Sequence, residues 1–198
     1  LLIVVSGFAG SGKGTMMKRL VEEYEGYALS VSMTTRKPRP GEVHGREYFF
    51  VTKEEFEQKI REGGLIEYAP YVENYYGTPR EYVEKQMAAG KDVVLEIEIQ
   101  GALKVKKRFP DSVLIFVLPP SVEELYRRLK NRGTETEDVI RKRMSRAAEE
   151  ASMIGRYDYI VINDGVEESV RKLHSLIEAA HSSPGGNEEF IRGIRDGL

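Results

Sequence analysis

Nine consecutive residues, Gly7-Phe8-Ala9-Gly10-Ser11-Gly12-Lys13-Gly14-Thr15, carry the densest chemical signal in the chain. They fit G-x-x-x-x-G-K between an apolar strand and an amphipathic helix. Glycines let the backbone curl until successive N–H groups face one anion, the helix N-terminus adds its positive end, and Lys13 reaches the outer phosphates of a polyphosphate. An ordinary glycine-rich turn would need neither the lysine nor this spacing. Gly14 stands where the strict motif has Ser or Thr, and the hydroxyl follows one place later at Thr15. A Mg²⁺ ion is therefore expected to be held mainly by phosphates and water. Further on, Ser32, Arg36, Arg39, Gly41, Gly45 and Tyr48 follow in order, with the two arginines three apart beside Pro38 and Pro40. Such a poorly helical basic loop suits a phosphate clamp of paired N–H forks, with the Tyr48 hydroxyl as a neutral donor. Taken alone, it reads equally well as a solvated basic loop.

These groups need a scaffold, and the apolar pattern supplies one. Residues 1–5, 27–31, 92–97, 113–118 and 158–162 read as strands of a mainly parallel sheet, alternating with helical patterns in the manner of an α/β protein. Shorter aromatic-rich runs at 48–51, 65–69 and 71–75 predict a small mixed or antiparallel lobe. Helix starts are expected at Thr52, Thr78, Ser121 and Asp164, each a cap residue with Glu three places on. Pro79 falls at a first helical position, where no donor is lost. Met17, Leu20, Val21 and Tyr24 in the first helix, and Val166, Val170, Leu173, Ile177 and Ala180 in the last long one, form faces that pack on the sheet. Residues 121–150 hold eight Lys/Arg and seven Asp/Glu, the composition of a solvated helical pair. Beyond His181, Ser182-Ser-Pro-Gly-Gly186 breaks the pattern before a tail with Phe190, Ile191 and Ile194, expected as a loose terminal helix.

Composition narrows the classes. The 198 residues carry 30 Lys+Arg against 32 Asp+Glu, a net charge of −2 that argues against a general polyanion binder. A 40% hydrophobic content supports one core burying roughly 70% of the unfolded surface, which excludes disorder. There is no cysteine, compatible with a reducing cytosol, so a cytoplasmic location is expected. The longest apolar run, residues 113–118, is far short of the about 20 residues a membrane-spanning helix needs. Because the first residue is Leu rather than Met, a short N-terminal piece is expected to be missing.

The Gly-Lys-Gly-Thr variant resembles nucleoside monophosphate kinases more than signalling GTPases. With the ordered set from Ser32 to Tyr48, then Glu67-Tyr-Ala, Asn74-Tyr-Tyr76-Gly77-Thr78 and Leu95-Glu96-Ile-Glu98-Ile-Gln100-Gly101, the chain resembles guanylate kinase over roughly residues 1–180. The long signature from Arg36 to Tyr48 is far more specific than the phosphate loop. The resemblance implies a P-loop NTPase fold within a single domain at 1–181: a core of 1–31, 91–120 and 151–181, a GMP-binding lobe at about 32–90 and a lid at about 121–150. Residues 182–198 remain as a tail.

It further implies that Arg36, Arg39, Tyr48 and Tyr76 hold the GMP phosphate, while Ser32, Glu67, Gly77, Thr78 and the pair Glu96 and Glu98 surround the guanine. Guanine offers two adjacent donors, N1–H and N2–H₂, and a carboxylate accepts both; Glu67 is the best single choice for base specificity. Glu98 departs from the family's usual Asp by one methylene. Glu96 and Glu98 are expected on one face at a strand end, one meeting guanine and the other ordering the Mg²⁺ water shell with Thr15 nearby. Read alone, they are solvent-exposed acids.

On the donor side, residues 7–15 bind ATP, Arg132 and Arg143 look like lid arginines closing over the triphosphate, Arg128 and Arg146 match less well, and Asn163 resembles an adenine-side contact. The implied reaction is ATP + GMP ⇌ ADP + GDP by direct attack, with Lys13, Mg²⁺, Arg36, Arg132 and Arg143 as the cations. His44, His174 and His181 are scattered and have no expected role. Two rivals remain: a non-catalytic guanylate-kinase-like protein-binding module, and a related P-loop kinase with another acceptor. No nucleic acid or membrane partner is expected.

Overall fold

Strands buried on both faces read as continuous apolar runs, and the central sheet is built from them. Its strands are β1 (Leu2–Gly7), β2 (Tyr27–Leu29), β7 (Asp92–Glu96), β8 (Val113–Leu118) and β9 (Tyr159–Ile162). All neighbours are parallel, in the order β2-β7-β1-β8-β9. The computed structural model describes residues 1–71, 73–131 and 136–198.

Side chains alternate between two cores, as the period of two along a strand requires. Ile3, Val5, Ile115 and Val117 face α1 (Lys13–Glu23) and α7 (Val166–His181), meeting Met16, Met17, Leu20, Leu173 and Ile177. Leu2, Val4, Val93 and Leu95 face the other way, toward α3 (Arg80–Ala88) and α4 (Ile99–Arg108), where Val83, Ala102 and Val105 close the layer. A third cluster joins Phe8 and Phe116 to Leu125 and Leu129 of α5 (Val122–Asn131) and to Ile140 and Ala147 of α6 (Glu137–Ala151). The charged segment is thus a helical pair with a buried apolar seam.

A second sheet of order β4-β3-β6-β5 forms the lobe from β3 (Met33–Thr34), β4 (Phe49–Phe50), β5 (Leu65–Tyr71) and β6 (Asn74–Pro79). It is mixed: β3 pairs parallel with β4 and antiparallel with β6, and β6 pairs antiparallel with β5. Buried Phe56 of α2 (Lys53–Arg61) anchors its core with Met33 and Leu65.

Several expected boundaries shift. The aromatic run 71–75 divides, Tyr71 ending β5 and Asn74 opening β6, because the hairpin pairs these two residues. Thr52 makes the expected reciprocal cap with Glu55. Ser121 Oγ accepts the Glu124 N–H. Thr78 does not cap α3: its hydroxyl donates to buried Glu67, and Pro79 precedes the first helical residue. A buried carboxylate without donors costs more than an open helix end exposed to water. Asp164 lies one place too early to cap α7, which follows directly on Gly165. The tail forms α8 (Glu188–Gly197), with Phe190 71% exposed. Among the described residues, no helix is long and apolar enough to cross a membrane.

Candidate functional site

Parallel strands direct all their carboxyl ends to one edge of the sheet, where ligands of open α/β folds bind. Gly7, Glu96, Leu118 and Ile162 stand at that edge. From Gly7 the chain turns through Ser11, whose N–H donates to Phe8 O at 3.0 Å, and enters α1 at Lys13. Gly10 and Gly12 have φ of 91° and 88°, in the left-handed region open to glycine. A Cβ on Gly12 would also run into Asn163 Nδ2. No side chain caps the first turn of α1 and no acidic residue lies in it, so its N–H groups face outward for an anion. Phe8 is buried edge-on against Phe116, their ring centroids 5.2 Å apart, which fixes the loop to the core.

The loop is braced from behind. Asn163, only 3% exposed, donates from Nδ2 to Ser11 O at 2.8 Å. Arg128 of α5 donates to the same carbonyl at 3.3 Å and to Asn163 O at 2.9 Å, and its Nε meets Glu124 at 2.7 Å. With their polar atoms directed at the loop backbone, Asn163 and Arg128 hold the phosphate loop in shape. Lys13 Nζ lies 3.9 Å from Glu96 Oε1. Thr15 and Gly14 are exposed at the mouth of the loop.

Beside the loop lies a cavity of about 460 Å³ between the two sheets, lined by Ser32, Tyr48, Glu67, Tyr76, Glu96 and Glu98 among others. Glu67 is 8% exposed and accepts the Thr78 hydroxyl at 2.9 Å. Burial raises its pKa above the ordinary carboxylate range, opposed by the Thr78 bond and the Lys104 charge. Gly77 lines the same cavity. Glu98 is not a strand residue as expected: β7 ends at Glu96, and Glu98 is the residue before α4. Its carboxylate pairs with Arg146 Nη2 at 2.6 Å. A second cavity of about 380 Å³ is lined by Gly7, Lys13, Lys142, Arg143 and Glu150 among others. The two cavities share Ile97, Glu98 and Arg146, so they meet at one boundary.

The basic loop has an organiser that the reading of the sequence missed. Arg36 donates from both terminal nitrogens to Glu42, each at 2.9 Å, and Glu42 also accepts the Arg39 N–H at 2.7 Å. The Arg36 guanidinium lies 5.3 Å from the Tyr48 ring centroid and 5.7 Å from that of Phe50. The Glu42 carboxylate is pulled down to about 2, first by the Arg36 fork and then by the Arg39 N–H. The Arg36 fork thus holds a bidentate carboxylate, the geometry in which such a fork can also hold a phosphate. The available signal was an acid directly after Gly41, whose φ of 87° turns the chain back on the arginines. The Arg39 side chain is exposed. Arg132 lies outside the described residues. Arg146, a weaker match in the sequence, is the arginine at the boundary of both cavities.

A parallel sheet, a glycine-built loop with its lysine, and an adjoining cavity floored by a buried carboxylate are the architecture of a P-loop kinase. The guanylate kinase family profile matches residues 1–180. A guanylate kinase of Caldanaerobacter subterraneus subsp. tengcongensis is 50% identical over 196 residues, 99% of this chain and 95% of the relative. One from Shouchella clausii is 54% identical over 181 residues, 91% of this chain and 88% of the relative. The crystal structure of guanylate kinase from Anaplasma phagocytophilum superposes with a TM-score of 0.74 at 34% identity, covering 92% of this chain and 87% of that one. A shikimate kinase from Bacteroides thetaiotaomicron shares the fold, at a TM-score of 0.50 and 19% identity, over 90% of this chain and 98% of that one. The chain belongs to the guanylate kinase family, a family of nucleoside monophosphate kinases.

Proposed function

We propose that this protein transfers the γ-phosphoryl group of ATP to GMP, and to dGMP, giving ADP and GDP. The observation that carries this reading is the meeting of two cavities at Glu98 and Arg146, one beside the Lys13 loop and the other floored by Glu67. The loop N–H groups and Lys13 take the outer ATP phosphates, with Arg143, and with Arg132 from outside the described residues, gathering negative charge on the transferring group. Glu67, with Thr78 bound to one oxygen, accepts the guanine N1–H and N2–H₂, and Ser32 and Glu98 complete the base pocket. Arg36, Arg39, Tyr48 and Tyr76 grip the acceptor phosphate, one oxygen of which attacks the γ-phosphorus in line as the bond to the β–γ bridging oxygen breaks. No covalent enzyme intermediate is needed.

The family implies Mg²⁺ bound with ATP, and the residues fit it. Among the described residues no three His, Cys, Asp or Glu side chains are placed to hold a metal by themselves. Glu96, both carboxylate oxygens 3.8 Å from where a Gly14 Cβ would stand, and the Thr15 hydroxyl suit an ion held chiefly by phosphate oxygens and water. When bound, the ion neutralises charge on the β and γ oxygens.

Water must be kept from accepting the phosphoryl group, so the lobe at about 32–90 and the lid at about 121–150 are proposed to close over a bound pair. Small-angle scattering with a bisubstrate analogue would show a smaller radius of gyration; an unchanged radius would exclude closure. The proposed setting is cytoplasmic purine nucleotide metabolism, with no nucleic acid or membrane partner. A coupled ADP-release assay with GMP, dGMP, AMP, UMP and CMP tests the reading. Activity on GMP and dGMP is expected, and activity on AMP in preference to GMP would end it.

A further inference from the structure

Three residues of α4, at spacings of three and four, face the strand that carries Glu67. A Cβ at Gly101 would stand 2.9 Å from Glu67 Oε2, closer than side-chain carbons come, and 3.3 Å from Ile97 Cδ1, a tight contact. One turn on, Lys104 Nζ donates to Tyr68 O at 3.1 Å. A further turn on, Arg108 Nη1 donates to Leu65 O at 3.0 Å and Ile66 O at 3.3 Å. The helix thus grips the backbone on both sides of Glu67 and leaves a gap at Gly101 for its carboxylate.

That gap lies in the first turn of α4, which no side chain caps, because the preceding Glu98 turns to Arg146 instead. Outward N–H groups and the positive helix end favour an anion there. Lys104 adds a positive charge to the same surroundings, and Glu98 opposes it. The other Glu67 oxygen is tied to the Thr78 hydroxyl at 2.9 Å, so a push at Oε2 is resisted at Oε1. Gly101 is helical and needs no left-handed backbone, so backbone geometry alone would accept alanine, the better helix former.

We infer that Gly101, with Lys104 and Arg108 as clamps, is a specificity-determining position that holds the Glu67 carboxylate at the reach needed to read the acceptor base. This rests on the proposed role of Glu67 toward guanine. An alanine at 101 drives the carboxylate off its seat and toward the base, misaligning both acceptor bonds while leaving the donor loop untouched.

The test compares Gly101→Ala, the double variant Lys104→Met/Arg108→Met and Glu67→Gln, with GMP and with IMP, which lacks the 2-amino group. For Gly101→Ala, KM for GMP should rise about tenfold, the worth of one charge-assisted hydrogen bond, and the preference for GMP over IMP should fall by a similar factor. KM for ATP and the melting temperature should not worsen. The clamp variant should move the same two quantities about threefold, the modest net worth of hydrogen bonds to backbone carbonyls. If both keep wild-type KM and selectivity while Glu67→Gln loses GMP, the inference is overturned and the reading of Glu67 stands. If Glu67→Gln also leaves GMP unaffected, the reading itself fails. A Gly101→Ala protein impaired equally toward ATP and GMP would show a structural role and overturn the inference; should it not fold, the clamp variant decides.

Discussion

The two halves of the site are built on opposite principles. The glycine loop is almost wholly backbone: glycines at 10 and 12 in left-handed conformations, an uncapped helix start, and one lysine, all within nine residues. The Glu67 cavity is side chains brought from β5, β6, β7, the loop before β4, the start of α4 and α6, with Glu67 and Glu98 separated by 31 positions in sequence. Phosphate needs only a concave array of N–H donors, which local geometry can provide. A base edge needs acceptors and donors in a particular mutual arrangement, which no single turn can hold. Charge is handled differently too. In the lobe of the second sheet, Glu42 is pulled down by an arginine fork, whereas Glu67 is pushed up by burial.

The largest test of this contrast is Lys13→Ala. Removing a preorganised cation that meets developing charge should lower kcat by about 10²–10³-fold or more, with an unchanged circular dichroism spectrum. A rate within tenfold of wild type would place the donor phosphates elsewhere. Next is Glu67→Gln, which removes the dual acceptor. The kcat/KM for GMP should fall by roughly 10–100-fold, the worth of one or two bonds to a charged group, while KM for ATP stays within experimental scatter. Equal losses for both nucleotides would break the division into two independent pockets.

Gly12→Ala probes the backbone half. It forces an L side chain into a φ of 88° and against Asn163, so the fold should lose about 1–3 kcal/mol in denaturant titration along with ATP binding. The smallest effect is on stability against pH. The raised pKa of Glu67 means that its ionisation opposes folding, so its unfavourable contribution is absent in acid and grows as pH climbs past the ordinary glutamate range. Glu67→Gln without substrate should therefore melt at or above the wild-type temperature at neutral pH, the gap closing near about pH 4. Glu42 has the reverse sign: its contribution is present above the ordinary glutamate value and is lost as pH falls toward about 2. A Glu67→Gln protein less stable than wild type at neutral pH would mean that the carboxylate holds the lobe together.

Much of the scaffold was legible because it is periodic. The five core strands and the buried faces of α1 and α7 follow directly from apolar spacing. What escaped was competition for single polar groups. Thr78 reads as a helix cap until a buried acid eleven residues earlier takes its hydroxyl. Asn163 is expected as a nucleotide contact from the family resemblance, and its further bond from the amide to Ser11, 152 positions away, has no local signal. Glu42 carries no motif of its own and becomes visible only once Gly41 folds it back onto Arg36.

Which apolar runs become strands, the glycine-and-lysine loop and the inventory of arginines and acids could be read from the chain, because each depends on residues within a turn or two of one another. Which acid meets which donor is settled by packing between distant segments. That packing set Glu67 against Gly101 and Thr78, tied Glu98 to Arg146, and joined the two cavities along that pair. The physical reason is that a buried polar atom takes its partner from whatever packs beside it, and that neighbour is chosen by the whole sheet-and-helix arrangement rather than by distance along the chain.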